Sequence, residues 1–234
     1  MKSTAILIPA RYGSTRFPGK PLAMLDGVPM IKRVYDACTA SKIPTYVLTD
    51  SQEVYNIIGP NCILDHTDYA NGTERCAGAI KKSVLLDDYD QFVNVQGDMP
   101  DVTVEIINTV VWHLQHYPIT TVWTEMPKQM QEDPNTVKMI RAGDKALWFG
   151  RGITGYGDWH LGVYGYHRNP LEFYTSYDVE QEEKVEQLEQ LRWLKAGWDI
   201  GCLKTVFDGI EINTPEDARI WNDRWKSLGN HTTN

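Results

Sequence analysis

The run AILIP at residues 5–9 reads as a strand buried on both faces of a sheet, and the loop and helix after it limit the fold. That loop (11–21) contains glycine and leads into a segment at 29–40 that carries Ile31, Val34, Tyr35 and Cys38 on one helical face. The same order recurs downstream. A strand at 46–49 ends at Asp50, and another at 92–95 ends at Gln96-Gly97-Asp98 ahead of a helical stretch at 104–115. Strands alternating with helices predict an α/β fold with a parallel sheet. Ligands of such sheets bind beyond the carboxyl ends of the strands, so the first loop and Asp98 are expected to face one cleft.

From about residue 119 short strand-like runs, TTVWTEM, TVKMIRA, KALWFG and HLGVYGY, are separated by Gly, Asp and Pro, which predicts antiparallel pairing. A charged helical segment at 179–196, a strand at 201–206 and a last helix complete the pattern. That helix opens at Asn213-Thr214-Pro215-Glu216-Asp217, with Asn or Thr as N-cap and Pro in the first turn. No repeat or linker divides the chain, so one domain over residues 1–234 is expected, its tail from 229 frayed.

Composition narrows the function. A net charge of −8 argues against a broad basic face for nucleic acid, so a small phosphorylated ligand fits better than a polymer. No apolar run approaches the roughly 20 residues of a membrane span, and the start lacks a signal-peptide pattern. Cys38, Cys62, Cys76 and Cys202 are scattered without a CxxC, which predicts reduced core thiols in a cytosolic protein rather than a zinc site or disulfide framework.

In this acidic chain the loop RYGSTRFPGKP (11–21) concentrates Arg11, Arg16 and Lys20 beside two glycines. Glycine lets backbone N–H groups approach an anion, a guanidinium offers a planar donor fork, and a lysine adds a mobile point charge. The loop therefore reads as a phosphate site, against the plainer alternative of a solvated basic turn. It matches neither GxGxxG nor GxxxxGK[ST]. Asp98 is placed either to hold a Mg²⁺ already ligated by phosphate oxygens or to cap the next helix. Asn71-Gly72-Thr73-Glu74-Arg75 is a turn entering a helix, and locally Arg75 reads as a surface residue paired with an acid.

Taken in order, IPARYGSTRFPGKPL (8–22), NGTER (71–75), VNVQGD (93–98), HLGVYGY (160–166), LEQLRWL (188–194) and NTPED (213–217) resemble the cytidylyltransferases that activate 3-deoxy-D-manno-octulosonic acid (KDO), the CMP-KDO synthetases. The resemblance implies a Rossmann-like nucleotidyltransferase fold with a mixed central sheet flanked by helices. Residues 1–118 would mainly bind nucleotide, 119–212 would form an antiparallel acceptor and dimer subregion, and 213–234 the C-terminal helix and tail. It further implies that Arg11, Ser14 and Lys20 grip the CTP phosphates, that Arg75 and Gln96 help recognise the nucleotide, and that Asp98 binds Mg²⁺. His160, Glu186 and Gln190 match the acceptor-sugar contacts, and the i, i+4 spacing of the last two places both on one helix face. Lys20, Arg11 and Asp98 would carry the reaction: attack of an acidic sugar's anomeric hydroxyl on the α-phosphate of CTP, with release of pyrophosphate. A cytoplasmic homodimer serving lipopolysaccharide or capsule assembly is implied as well.

The chain departs from the family in places that matter for chemistry. Asn213 stands where an aspartate serves the second metal; as a neutral ligand it implies a raised Mg²⁺ requirement, a metal-impaired nucleotide-binding paralogue, or simply a helix cap. Met99 replaces the acid that follows Asp98, and Tyr69 replaces a His. GRGITGYGDW (150–159) is shorter than the family's loop and lacks its Ser and Pro; its glycines suit a mobile lid. These changes leave the acceptor open among KDO, an amino-substituted relative and a sialic-acid-like sugar.

Overall fold

The computed structural model describes residues 3–13 and 17–229. β1 (Thr4–Ala10) lies inside a nine-stranded sheet, and its alternate residues serve opposite cores. Ala5 and Leu7 join Cys76, Phe92, Tyr166 and Trp193 on one face, while Ile6 and Ile8 join Ile31, Val34, Val95 and Ile106 on the other. Both faces are covered, which is why the strand is apolar at nearly every position.

Chain order after β1 is a short hairpin, β2 (Met24–Leu25) and β3 (Val28–Pro29), then α1 (Met30–Thr39), β4 (Thr45–Thr49), α2 (Gln52–Ile58) and β5 (Cys62–Leu64). Next come α3 (Gly72–Lys82), β6 (Gln91–Val95), α4 (Val104–His113) and β7 (Ile119–Thr124). The second half comprises β8 (Lys138–Ala142), β9 (Lys145–Gly150), β10 (Asp158–His167), α5 (Arg168–Glu172), α6 (Gln181–Glu186), α7 (Leu191–Lys195), β11 (Ile200–Lys204) and α8 (Pro215–Gly229). The sheet runs β5-β4-β1-β6-β10-β7-β11-β9-β8. Its first four strands are parallel, and β10 runs antiparallel to β6, β7 and β8.

Helix starts obey local chemistry. The side chains of Ser51, Asn71 and Thr103 accept from Val54, Glu74 and Ile106 N–H at the N-caps of α2, α3 and α4. At α8, Thr214 Oγ1 accepts from Asp217 N, and Asp217 Oδ2 accepts from the N–H groups of Asn213 and Thr214, a reciprocal capping box.

The four runs read as antiparallel, β7 to β10, pair in that way, and β11 joins them parallel to β7, which makes the sheet mixed. One expectation is corrected. The charged segment at 179–196 is two short helices rather than one, broken where Gln187 takes a left-handed φ of 52°. Arg192 explains the break. It is 3% exposed and forks onto both carboxylate oxygens of Glu183 at 2.8 and 2.5 Å, with Glu74 at 3.1 Å. Nine residues along one helix would separate Glu183 and Arg192 by about 13.5 Å on opposite faces, so the pair forms only if the chain turns between them.

Candidate active site

A cleft of about 300 Å³ opens beyond the carboxyl ends of β1 and β6, bordered by Arg11, Lys20, Arg75, Gln96, Asp98 and Asn213. Five of the sequence-predicted phosphate and nucleotide residues, Arg11, Lys20, Arg75, Gln96 and Asp98, thus meet in one place; Ser14 lies outside the described residues. Arg11 leaves the end of β1, and Gly19, with φ +68°, turns the chain into the short 3₁₀ turn that presents Lys20. On the other wall, the loop after β6 passes so close to β1 that a Cβ at Gly97 would stand 3.0 Å from the Pro9 carbonyl oxygen. That close approach delivers Asp98 to Lys20, whose Nζ lies 2.7 Å from Asp98 Oδ2.

The capping roles open to these residues fall away. Asp98 does not cap α4, because Thr103 does; Asn213 does not cap α8, because Thr214 does. Among the described residues no hydrogen bond engages the Asn213 side chain, and it borders the same cleft as Asp98. A carboxylate and an amide oxygen fit a hard divalent cation whose remaining ligands are phosphate oxygens and water. Met99 is fully buried in the core under the loop, so that position requires an apolar side chain here.

Arg75 is not the surface residue its local sequence suggests. It is 5% exposed, donates to Asp65 O at 3.2 Å, pairs with Asp50 Oδ2 at 3.4 Å and lies 5.2 Å from the Tyr69 ring centroid. Asp50 also accepts from Tyr12 N at 2.8 Å and so ties the phosphate loop to Arg75. Tyr69, the His replacement, donates to Asp65 at 2.7 Å and receives Lys82 at 3.0 Å.

Three acids carry too little sequence signal to be singled out without the fold, or carry it only faintly. Asp50 ends a strand, a position too common to mark a site. Glu189 borders the cleft, accepts from Thr73 N at 3.1 Å, and is pushed above the ordinary carboxylate range by burial. Glu211 is pushed up to about 7 by burial first and then by Asp98, with Arg151 and Lys20 opposing. Its signal is the alternation Ile210-Glu211-Ile212, in which buried Ile212 turns Glu211 to the other side.

The three acceptor residues sit apart from that cleft's lining. Glu186 and Gln190 do not share a helix face: Glu186 ends α6, and Gln190, 3% exposed, precedes α7 beyond the turn at Gln187. Glu186 Oε2 accepts from Arg151 N at 2.6 Å and Gly152 N at 3.3 Å, fastening the base of the glycine-rich segment. Fully buried Lys138 adds a second tie, donating to the carbonyls of Asp133 at 2.5 Å and Arg151 at 3.2 Å. His160 is 5% exposed, lies 3.0 Å from Thr121 Oγ1 and meets the Phe149 ring edge to face at 4.9 Å. Burial, aided by the Arg151 charge, lowers its pKa to about 3, so the imidazole is neutral. Arg151 therefore acts electrostatically on both His160 and Glu211.

The sequence model of the cytidylyltransferase family matches residues 5–200. The 8-amino-3,8-dideoxy-manno-octulosonate cytidylyltransferase of Shewanella halifaxensis (strain HAW-EB4) is 37% identical, over 93% of this chain and 96% of that one. The protein of the same name from Shewanella amazonensis (strain ATCC BAA-1098 / SB2B) is also 37% identical, over 96% and 99%. Among solved structures, a CMP:2-keto-3-deoxy-manno-octonic acid synthetase complexed with CTP superposes with a TM-score of 0.87 at 29% identity, covering 97% of this chain and 99% of that one. A putative glucose-1-phosphate thymidylyltransferase from Bacillus anthracis shares the fold alone, with a TM-score of 0.70 at 13% identity over 95% of each chain. A mixed sheet with a phosphate-type cleft at its parallel strand ends, matched along nearly the full length, has one reading: the chain belongs to the cytidylyltransferase family.

Proposed function

We propose that the protein transfers CMP from CTP to the anomeric hydroxyl of a 3-deoxy-octulosonic acid, KDO or its 8-amino form, and releases pyrophosphate. The observation that carries this reading is the Lys20–Asp98 pair in a cleft that also holds Arg11 and Arg75. In the free protein the pair keeps two opposite charges matched. When a triphosphate enters, Lys20 turns to its oxygens and Asp98 becomes available to a cation. Arg11 and Lys20 then offset charge on the phosphates, most of all on the departing pyrophosphate, while Arg75 and Gln96 orient the nucleotide. Mg²⁺, held by Asp98 and Asn213, would supply further neutralisation of the phosphate oxygens. No covalent enzyme intermediate is needed, because the sugar hydroxyl attacks the α-phosphate in line.

In this reading His160, Glu186 and Gln190 serve the acceptor sugar, Glu186 through its hold on the glycine-rich segment at Arg151 N and Gly152 N. Homodimerisation and a cytoplasmic location enter this proposal from the family resemblance. The amino-substituted sugar enters from the names of the Shewanella relatives.

Pyrophosphate release is the test, with CTP against UTP and with KDO, 8-amino-KDO and a sialic acid as acceptors. Release with CTP and either octulosonic acid is expected. Release with sialic acid alone moves the acceptor, and CTP binding without release under any acceptor overturns the transferase reading. Asn213→Asp is expected to lower the Mg²⁺ concentration for half-maximal activity on the order of tenfold, since a charged oxygen is the better ligand for a hard cation. An unchanged Mg²⁺ titration would remove Asn213 from the metal site.

A further inference from the structure

Asp101, three residues beyond Asp98, belongs to none of the roles above, yet both of its carboxylate oxygens are spent on the C-terminal segment. Oδ2 accepts from Ile210 N at 3.0 Å and Oδ1 from the indole Nε1 of Trp221 at 2.8 Å. The main chain adds a parallel tie, Ile212 N donating to Asp98 O at 2.9 Å. Ile210 and Ile212 are alternate residues of an extended stretch, so both N–H groups face the loop at 98–101. The approach is tight: a Cβ at Gly209 would stand 2.5 Å from Asp101 Cβ. Asn213 is therefore bracketed, with Ile210 before it and Trp221 after it both fixed to one carboxylate.

Trp221 is itself immobilised. It is 3% exposed, stacks on Trp225 at 5.0 Å, and lies under the Arg33 guanidinium at 4.9 Å. Arg33 Nε in turn donates to Leu25 O at 2.6 Å in the hairpin that comes after the phosphate loop. We infer that Asp101 is a positioning residue that sets the separation of Asp98 and Asn213 and thereby the affinity for the divalent cation. This rests on the proposed metal-dependent reading of the site. The demand for such a brace arises from Asn213 itself. A neutral amide binds a hard cation weakly, so the site relies on its two donors being held at the right spacing before the cation arrives.

The test is a titration of the full-length protein with Mn²⁺, read by the EPR signal of free Mn²⁺ with and without CTP and against a CTP-only blank that accounts for the Mn²⁺ chelated by the nucleotide itself, together with thermal melting. Asp101→Ala is expected to weaken Mn²⁺ binding about tenfold, the lower end of what removing a group that orients a metal ligand costs. Asp101→Asn and Trp221→Phe each remove one of the two bonds and are expected to weaken it less; they carry the test if Asp101→Ala does not fold. Ile31→Val, a core change in α1, serves as the stability control and should lower the melting temperature without moving the Mn²⁺ titration. Variants of Asp101 and Trp221 that melt lower but bind Mn²⁺ as the wild type does would overturn the inference. Wild-type protein that binds CTP but no Mn²⁺ would overturn the metal reading beneath it, a separate and distinguishable result.

Discussion

Lys20→Ala is expected to cut turnover by roughly 10²- to 10³-fold, the range for losing one preorganised group that faces charge developing in the transition state. Its melting temperature should stay close to that of the wild type. The two consequences separate because Lys20 does little for the fold. Its side chain is 20% exposed and its partner Asp98 22% exposed, and ion pairs so placed contribute at most about 1 kcal/mol. In catalysis the same ammonium is one of the cations set against the triphosphate, and charge on the leaving oxygens grows only as the bond to the α-phosphate breaks. The loss should therefore fall on kcat more than on the KM for CTP, and Lys20→Arg should recover part of it. Steady-state pyrophosphate release at saturating CTP decides the matter, and near-normal kcat in Lys20→Ala would remove the lysine from the chemistry.

The second large effect concerns stability in acid. His160 is held neutral with a pKa of about 3, below the 6.5 of a free imidazole. A depressed pKa means that the unfolded chain takes up the proton first. The contribution of His160 is thus complete above pH 6.5 and drains away as pH falls from 6.5 towards 3. Between pH 7 and pH 5 this one group should cost the fold about 2 kcal/mol. Urea unfolding of the wild type and His160→Gln at the two pH values isolates it, because contributions from the carboxylates cancel in the comparison. The variant is expected to be the less stable at pH 7, having lost the ring packed against Phe149, but to lose about 2 kcal/mol less on acidification. Parallel losses in the two proteins would show that His160 titrates as an ordinary exposed imidazole.

The phosphate end of the site is legible in the sequence because its parts are local. Arg11 and Lys20 share one loop and Asp98 lies just past the end of one strand, and the rule that ligands gather beyond parallel strand ends joins them. Arg75 defeats a local reading because its burial comes from Asp50 and Tyr69, one of them 25 residues away, and no local pattern reports that. The segment at 179–196 does so for a related reason. Its helix propensity is real, but the ion pair of Arg192 with Glu183 and Glu74 outweighs it and bends the chain at Gln187. Glu186 and Gln190, which their spacing would place on one helix face, are separated by the same bend. Asp101 gives no sequence signal, since its meaning lies in contacts with residues 109 and 120 positions away.

One strand has a consequence for how the protein comes to exist. β10 joins the four parallel strands to the rest of the sheet, pairing with β6 on one side and β7 on the other. While the chain is being synthesised, every residue that surrounds the phosphate cleft up to Asp98 emerges before the strand at 158–167 that covers the open edge of β6. All five residues of β6 are buried in the finished protein, so the nascent chain passes through a period with an apolar strand edge exposed, the state most prone to pair with another molecule. The ribosome must add about 70 residues after β6 before that edge can close, several seconds at ordinary elongation rates. Chaperone dependence during expression, more than the stability of the finished fold, is where this architecture is exposed.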